Sequence, residues 1–116
     1  MDSEVPPRPL VTVVIPNLNT GQRLVRTLES VLKQDYPFLE CIVVDGGSTD
    51  ESPEILSRYQ GRIECVYEPP HGHADAINRG LMRSRGEIVT WLPAGDIHMP
   101  GAVSRAVEYF QSLYDK

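Results

Sequence analysis

The chain has 116 residues, of which 41% are hydrophobic, and its 11 basic and 16 acidic residues give a net charge of −5. This length is typical of a single domain, and the hydrophobic content excludes a disordered chain. The acidic balance and the lack of a basic stripe argue against nucleic acid as a partner, although one site for a phosphate-bearing ligand needs no net positive charge.

The longest apolar runs, such as Val11–Ile15, are far too short to span a bilayer, and the proline-rich start of the chain is unlike a signal peptide. We therefore expect a cytoplasmic protein, either free or peripheral to the inner face of the membrane. In this interpretation residues 1–9 form a flexible N-terminal segment and residues 10–116 form one domain. Cys41 and Cys65 lie in β-like runs, where reduced core thiols are expected more than a disulfide.

The first predicted element is a buried strand at Leu10–Ile15, an apolar and β-branched run that ends at Pro16. A helix follows, because apolar residues recur at helical spacing, and Asn19 with Gln22 predicts a variant capping box at its start. These apolar residues are Leu24, Val25, Leu28, Val31 and Leu32. The second predicted strand is Cys41–Val44, which ends before a glycine-rich turn.

The second helix is predicted to begin near Asp50–Pro53, where Ser52 before a proline suits an N-cap. A third strand follows at Ile63–Tyr67. The third helix is predicted at His73–Arg85, with Gly86 as its C-terminal cap.

The chain ends with a predicted strand at Ile88–Leu92 and with a helix whose apolar residues follow the 3.6-residue period. Those residues are Val103, Ala106, Val107, Phe110, Leu113 and Tyr114. Strands that are almost continuously apolar thus alternate with helices along the chain. This pattern predicts an α/β fold of three layers, with a four-stranded, Rossmann-like parallel sheet covered by helices on both faces. We expect the strand order 3-2-1-4.

Right-handed crossovers bring every strand-to-helix loop to the carboxyl edge of such a sheet, where open α/β sheets bind ligands. The loops are Pro16–Gly21, Asp45–Asp50, Glu68–Gly72 and Pro93–Pro100. In the second loop the glycines permit positive φ and close backbone approach, and Asp45 suits a hydrogen bond from a base or a ribose. Equally, Asp45 and Asp50 suit the capping of turns and of the next helix, and spacing alone does not choose between these roles.

Several motifs follow one another along the chain: VVIPNLN at 13–19, ESVLKQDYP at 29–37, VVDGGSTD at 43–50, HGHADAINRG at 71–80, RGEI at 85–88 and WLPAGDI at 91–97. Over roughly residues 10–103 they resemble the large inverting glycosyltransferase family that has the GT-A fold, of the family 2 type. No G-x-G-x-x-G motif follows the first strand, which argues against an ordinary NAD-binding domain. The resemblance implies binding of a nucleoside-diphosphate sugar, often uridine-linked, and inverting transfer to an acceptor hydroxyl.

The resemblance also implies roles for individual residues. By position, it assigns the donor nucleotide and its sugar to Pro16, Asn17, Asn19, Asp45, Gly46, Asp75, Asn78 and Arg79. In the family, Pro16 and its neighbours would line the base, which Asp45 would recognise. Asp96 matches the last acid of the DxD-like motif, which holds a divalent cation, Mn²⁺ or Mg²⁺, against the diphosphate.

For several of these residues an alternative stays open. Arg79 also suits a solvated helix position, and Asp96 also suits an N-cap near Met99–Gly101. His71 and His73 are candidate ligands of the donor or the cation from their loop, but a lone loop histidine is more often merely solvated.

Two positions depart from the family pattern. The segment Pro93-Ala94-Gly95 stands where relatives carry acidic or Asn-containing residues, which leaves one carboxylate for the cation. Leu18 stands where many relatives have an aromatic residue, which weakens the expected stacking on the base.

In the family, the acceptor half and a carboxylate base lie further along the chain, and Glu108 and Asp115 do not supply that base convincingly. We therefore expect the donor-binding half of a glycosyltransferase, with a sugar or lipid-linked acceptor bound by a missing C-terminal part. The alternatives are a non-catalytic nucleotide-sugar-binding module and an assembly domain with a vestigial pocket. A homo-oligomer is compatible with each of them.

Overall fold

The computed structural model describes residues 8–67 and 72–114, and within these the predicted strands and helices alternate in the expected order. The strands are β1 Val11–Asn17, β2 Leu39–Asp45, β3 Glu64–Tyr67 and β4 Ile88–Trp91. The helices are α1 Gln22–Leu32, α2 Ser52–Arg58, α3 His73–Arg83 and α4 Ala102–Tyr114. None of these helices is long and apolar enough to cross a membrane.

The strands form one parallel sheet in the order β3-β2-β1-β4, which confirms the predicted order 3-2-1-4. Strand β1 is central and all 7 of its residues are buried, as its apolar and β-branched sequence predicts. It pairs with β2 along its whole length, up to Asn17↔Asp45, and with β4 from Val11↔Ile88 onward. Asn17 and Asp45 therefore lie side by side at the carboxyl edge of the sheet.

Helices cover both faces of the sheet, so the fold has the predicted three layers. Because successive strand residues point to opposite faces, Val13 and Ile15 of β1 face one side and Val14 faces the other. On the first face they pack against α1 and α2, whose buried apolar residues are Leu24, Leu28, Val31, Ile55 and Leu56. On the second face α3 covers Val14 together with Ile42 and Val44 of β2.

Helix α4 packs against the first face, near the start of β1, where Val103 and Val107 contact Val11. The periodic sequence predicts a longer apolar face that includes Phe110 and Leu113. In the structure these two side chains are exposed, so only the first part of the predicted face is buried.

Helix α3 ends two residues earlier than predicted, at Arg83, and Ser84 follows it in an extended conformation. Gly86 is therefore not its C-terminal cap. A Cβ atom at Gly86 would lie 2.5 Å from Oγ1 of Thr12, and the Gly86 amide donates a hydrogen bond of 3.0 Å to that hydroxyl. A glycine is needed here because the backbone passes directly against β1.

The predicted capping box of α1 is also wrong. The helix begins after Gly21, which has a φ of 57° and caps it without a side chain. The side chain of Asn19 turns to another loop, where its Oδ1 accepts hydrogen bonds from the amides of Thr49 at 2.8 Å and Asp50 at 3.2 Å. Tertiary partners thus compete with the local cap for the same oxygen.

Helix α2 begins at Ser52, so this residue is not the predicted N-cap. Glu51 holds that position, and Oδ1 of Asp50 accepts a hydrogen bond of 2.9 Å from the Ser52 amide. Hydrogen bonding by Ser52 lowers the pKa of Asp50, which keeps a negative charge at the helix N-terminus, where it is favourable.

At the start of the chain, residues 1–7 of the predicted flexible segment lie outside the described residues. The last two residues of that segment are packed. The Arg8 guanidinium lies 4.9 Å from the centre of the Phe38 ring, and the Tyr36 hydroxyl donates a hydrogen bond to the carbonyl of Pro9.

Both cysteines are free thiols, as predicted. Burial raises the pKa of Cys41 to about 12. This thiol is therefore protonated at neutral pH and suits a core position.

Candidate functional site

The centre of the candidate site is the pair formed by Asn17 and Asp45, the last residues of two neighbouring strands. Nδ2 of Asn17 donates a hydrogen bond of 2.7 Å to Oδ1 of Asp45. Both residues are almost fully buried, with exposed fractions of 3% and 1%. The register of the sheet produces this contact, because Asn17 and Asp45 are direct partners across β1 and β2.

Asp45 accepts further hydrogen bonds from its own loop. Its Oδ1 receives the Ser48 hydroxyl at 2.7 Å, and its Oδ2 receives the amides of Ser48 at 2.9 Å and Gly47 at 3.3 Å. A carboxylate has room for about four such bonds, so this side chain is saturated within the protein. The turn-organising role that the sequence left open is present, and a ligand contact at Asp45 would have to replace one of these bonds.

The loops after β1 and β2 are joined by hydrogen bonds. The amide of Asn19 in the first loop donates to the Ser48 hydroxyl in the second at 2.9 Å, while the hydroxyl of Thr20 donates to Oδ1 of Asn17 within the first loop. Asn19 has a positive φ of 53°, which lets its side chain reach across to the second loop. These bonds fix a rim that consists of Pro16, Asn17, Asn19, Asp45 and Gly46. The side chain of Leu18, beside it, is 51% exposed.

Gly46 is part of this rim, and its amide donates a hydrogen bond of 3.0 Å to the Asn17 carbonyl. A Cβ atom there would meet only ordinary contacts, at 3.8 Å, from the Asn17 carbonyl oxygen and from Leu18. The backbone of this loop is therefore open to a group that approaches from the carboxyl edge.

The predicted residues on α3 form a small charged group at the start of that helix. Asp75 and Arg79 are one turn apart and form an ion pair, with 3.5 Å between Oδ1 and Nε. Asn78 is exposed on the same helix. Because α3 follows β3, its first turn lies at the same carboxyl edge as Asp45. His71 lies outside the described residues, as does the side chain of His73.

The loop after β4 brings Asp96 to the end of β1. The amide of Leu92 donates to the Val14 carbonyl at 2.8 Å, and the amide of Ala94 donates to the Pro16 carbonyl at 3.1 Å. Asp96 itself is exposed, two residues further on. Pro16 is buried, and its carbonyl is the acceptor that holds the Ala94 amide.

The N-cap alternative for Asp96 is wrong. Helix α4 begins at Ala102, whereas an N-cap side chain bonds amides only two or three residues ahead of it. The carboxylate of Asp96 is left facing solvent instead.

The side chains available as metal ligands limit how a cation can bind. Among the described residues no three His, Cys, Asp or Glu side chains are grouped as a metal site. Asp96 supplies one hard carboxylate, which suits Mg²⁺ or Mn²⁺ that is also held by substrate phosphates and water. The residues present fit a cation that arrives with a diphosphate and do not fit a cage made by protein alone.

The sequence did not single out three other residues near this edge. Tyr67, the partner of Asp45 across β2 and β3, is exposed by 59%. Thr27 of α1 is fully buried and contacts the loop after β4. Arg23 places Nη1 3.8 Å from where a Cβ atom of Gly95 would lie. For Tyr67 the available signal was an aromatic residue at a strand end. For Thr27 it was a polar residue among the apolar positions of a helix.

Comparison with known proteins places this geometry in context. The family model for glycosyl transferase family 2 matches residues 12–115. An uncharacterized glycosyltransferase from Nostoc sp. is 34% identical over 106 residues, which are 88% of this chain and 33% of the relative. The chain spans about a third of the length of the curated relatives it matches.

Solved structures show the same fold. The mannosyltransferase PcManGT from Pyrobaculum calidifontis, in complex with GDP-Man and Mn²⁺, has a TM-score of 0.82 and 31% identity, over 91% of this chain and 33% of that one. TarS 1–349 from S. aureus, in complex with UDP-GlcNAc, has a TM-score of 0.84 and 23% identity, over 90% of this chain and 32% of that one.

Proposed function

We propose a donor-binding function for this chain, which belongs to glycosyl transferase family 2. In the proposal, the carboxyl edge of the sheet binds a nucleoside-diphosphate sugar for inverting transfer of the sugar to an acceptor hydroxyl. The observation that carries it is the continuity of that edge. The Asn17–Asp45 pair joins the first two loops, and the Ala94 amide joins the Asp96 loop to Pro16.

The base is proposed to lie over the rim formed by Pro16, Asn17, Asn19, Asp45 and Gly46. The bonds of Asp45 favour uracil. Its Oδ2 is held by backbone amides, whereas its Oδ1 is held by side chains, one of them a rotatable hydroxyl. One exchangeable oxygen matches the single N3–H donor of uracil, whereas the N1–H and N2–H₂ edge of guanine offers two donors to a bidentate carboxylate. We therefore propose a UDP-linked donor.

The diphosphate is proposed to lie between Asp96 and the first turn of α3. A divalent cation, Mn²⁺ or Mg²⁺, would be held by Asp96 and would stabilise the charge on the departing diphosphate. Asp75, Asn78 and Arg79 would face the nucleotide and the sugar from α3. The guanidinium of Arg23 adds positive charge next to the Asp96 loop.

We propose that the acceptor binds outside the described residues and that the base that deprotonates it also lies outside them. The relatives are about three times as long as this chain. Glu108 lies on α4, which packs near the start of β1, at the opposite end of the strands from Asp45. We do not assign it as the base.

One observation favours a second candidate, a module that binds a nucleotide sugar without transferring it. Gly95, directly before Asp96, has a φ of 105°, a conformation in which an aspartate would be strained. The second acid that the commoner family pattern carries is thus disfavoured by the backbone, which leaves a weak cation site.

The test is a titration of the chain with UDP and with GDP, in Mn²⁺ and in chelator. UDP at 100 times its dissociation constant should stabilise the fold by about 2.7 kcal/mol, and the affinity should be higher in Mn²⁺. Asp96→Asn should remove the gain from Mn²⁺ and leave the affinity in chelator unchanged. Tighter binding of GDP would refute the argument about the base, and no binding of either nucleotide at millimolar concentration would refute the donor site.

A further inference from the structure

The loop that carries Asp96 is hydrogen-bonded to α1 by a buried hydroxyl. Oγ1 of Thr27 accepts a bond of 2.8 Å from the Gly95 amide and donates a bond of 2.6 Å to the Asp96 carbonyl. The side chain is fully buried. One hydroxyl therefore holds the backbone on both sides of the Asp96 Cα atom.

Two more polar side chains extend this contact: Ser30 in α1 and Gln34 just after its end. The hydroxyl of Ser30 accepts the His98 amide at 3.1 Å. Nε2 of the Gln34 side chain donates to the Met99 carbonyl at 2.9 Å, and Oε1 of the same side chain accepts a bond from the Val103 backbone amide at 3.0 Å. Thr27, Ser30 and Gln34 are spaced three and four residues apart, which puts them on one side of the helix. The segment from 95 to 103 is thus attached to α1 along its length.

Helix α1 is a rigid support for this loop. Its Leu24, Leu28 and Val31 side chains are fully buried against the sheet. Strand β4 alone would fix the loop less well, because Gly95 has a φ of 105° and no side chain to restrict it. The backbone at Asp96 is therefore held by the two bonds of Thr27 and by the bond of 3.0 Å from its own amide to the Pro93 carbonyl.

We propose that Thr27 is a positioning residue for the cation-dependent part of nucleotide binding. This inference rests on the proposed donor site at Asp96. A cation shared between one carboxylate and a diphosphate demands an accurate ligand direction, and groups that orient a metal ligand affect metal affinity without touching the metal. Thr27 supplies that orientation through the Gly95 amide before Asp96 and through the carbonyl of Asp96 itself, and Ser30 supports it from the next turn.

The test compares Thr27→Val with Thr27→Ser. Valine has nearly the same shape without the hydroxyl, and serine keeps the hydroxyl. Mn²⁺ is titrated into each variant saturated with UDP, and UDP affinity is also measured in chelator. Thr27→Val should weaken the affinity for Mn²⁺ about 10–100-fold, the usual cost of losing a group that orients a metal ligand. It should leave the affinity for UDP in chelator unchanged. Thr27→Ser should keep Mn²⁺ affinity.

If Thr27→Val loses UDP affinity equally with and without Mn²⁺, or keeps the whole Mn²⁺ gain, the inference is overturned. If the unsubstituted chain itself gains nothing from Mn²⁺, the proposed cation site fails first and the inference falls with it. Should Thr27→Val not fold by circular dichroism, Ser30→Ala takes its place, because Ser30 is only partly buried. Ser30→Ala should also weaken the affinity for Mn²⁺, and an unchanged Mn²⁺ affinity in that variant would overturn the inference.

Discussion

At the scale of single residues, Asp45 shows how one side chain serves both the fold and a site. It is buried, and the hydrogen bonds that its carboxylate accepts shape its loop. Its bond to Asn17 ties that loop to the neighbouring strand. A ligand that reaches Oδ1 would therefore find an oxygen whose direction is already fixed, which lowers the ordering cost of binding.

Asp45→Asn should weaken both the fold and nucleotide binding. The new amide would present a donor to Nδ2 of Asn17, and one buried donor would be left unpaired, at a cost of about 1–3 kcal/mol in the free energy of unfolding. Urea denaturation measures the loss of stability, and calorimetric titration with UDP measures the loss of nucleotide affinity. Ser48→Ala is the comparison variant: it keeps the charge of Asp45 and releases its Oδ1 but also removes the acceptor of the Asn19 amide, so UDP affinity should fall less than in Asp45→Asn. An Asp45→Asn variant with unchanged UDP affinity would assign Asp45 to the loop alone.

At the scale of elements, the helices on the first face are linked by polar bonds as well as by the core. The hydroxyl of Tyr59, just after α2, donates a bond of 2.7 Å to Oε2 of Glu29 on α1. The hydrogen bond from Tyr59 lowers the pKa of Glu29 below its usual value of 4.5. This bond helps to hold α2 against the helix that also supports the Asp96 loop.

Tyr59→Phe should make the stability of the chain less sensitive to acid. A carboxyl group with a lowered pKa in the folded state contributes stability above its unfolded pKa, and that contribution is lost as the pH falls through the folded value. Unfolding free energies of the two proteins should therefore differ at neutral pH and converge as the pH drops below 4.5. Denaturation at a series of pH values checks this. A difference that stays constant with pH would mean that the Glu29 carboxylate is not involved.

At the scale of the whole molecule, the chain is a three-layer domain with its candidate site on one edge. Its relatives are about three times as long, and the described part of α4 ends with Tyr109, Phe110 and Leu113 exposed. The described residues hold no assigned base for an acceptor hydroxyl. We therefore expect the proposed donor binding to be separable from sugar transfer.

The purified chain should bind a donor without transferring its sugar at an enzymatic rate. Transfer needs both a positioned acceptor and a general base, and the base alone is typically worth about 10²–10⁴-fold in rate. The measurement is release of UDP from a UDP-sugar with and without candidate sugar acceptors. Slow hydrolysis is compatible with this prediction, whereas robust acceptor-dependent turnover would contradict it.

The sequence by itself determined the fold class, the order of the elements and the edge where Asn17, Asp45 and Asp96 lie. These follow from apolar periodicity and from the handedness of crossovers, which depend on neighbouring residues and on general rules. The single carboxylate at Asp96 was also visible, because departures from a motif can be read position by position.

Only the tertiary structure decided how the loops are held. The partners of Asn17, Gly86 and Thr27 lie 28, 74 and 69 residues away in the chain, so no local pattern predicts them. For the same reason the capping box at Asn19 and the helix cap at Gly86 were wrong. A local motif offers a side chain or a glycine for one use, and in the packed fold a partner distant in the sequence can take it instead.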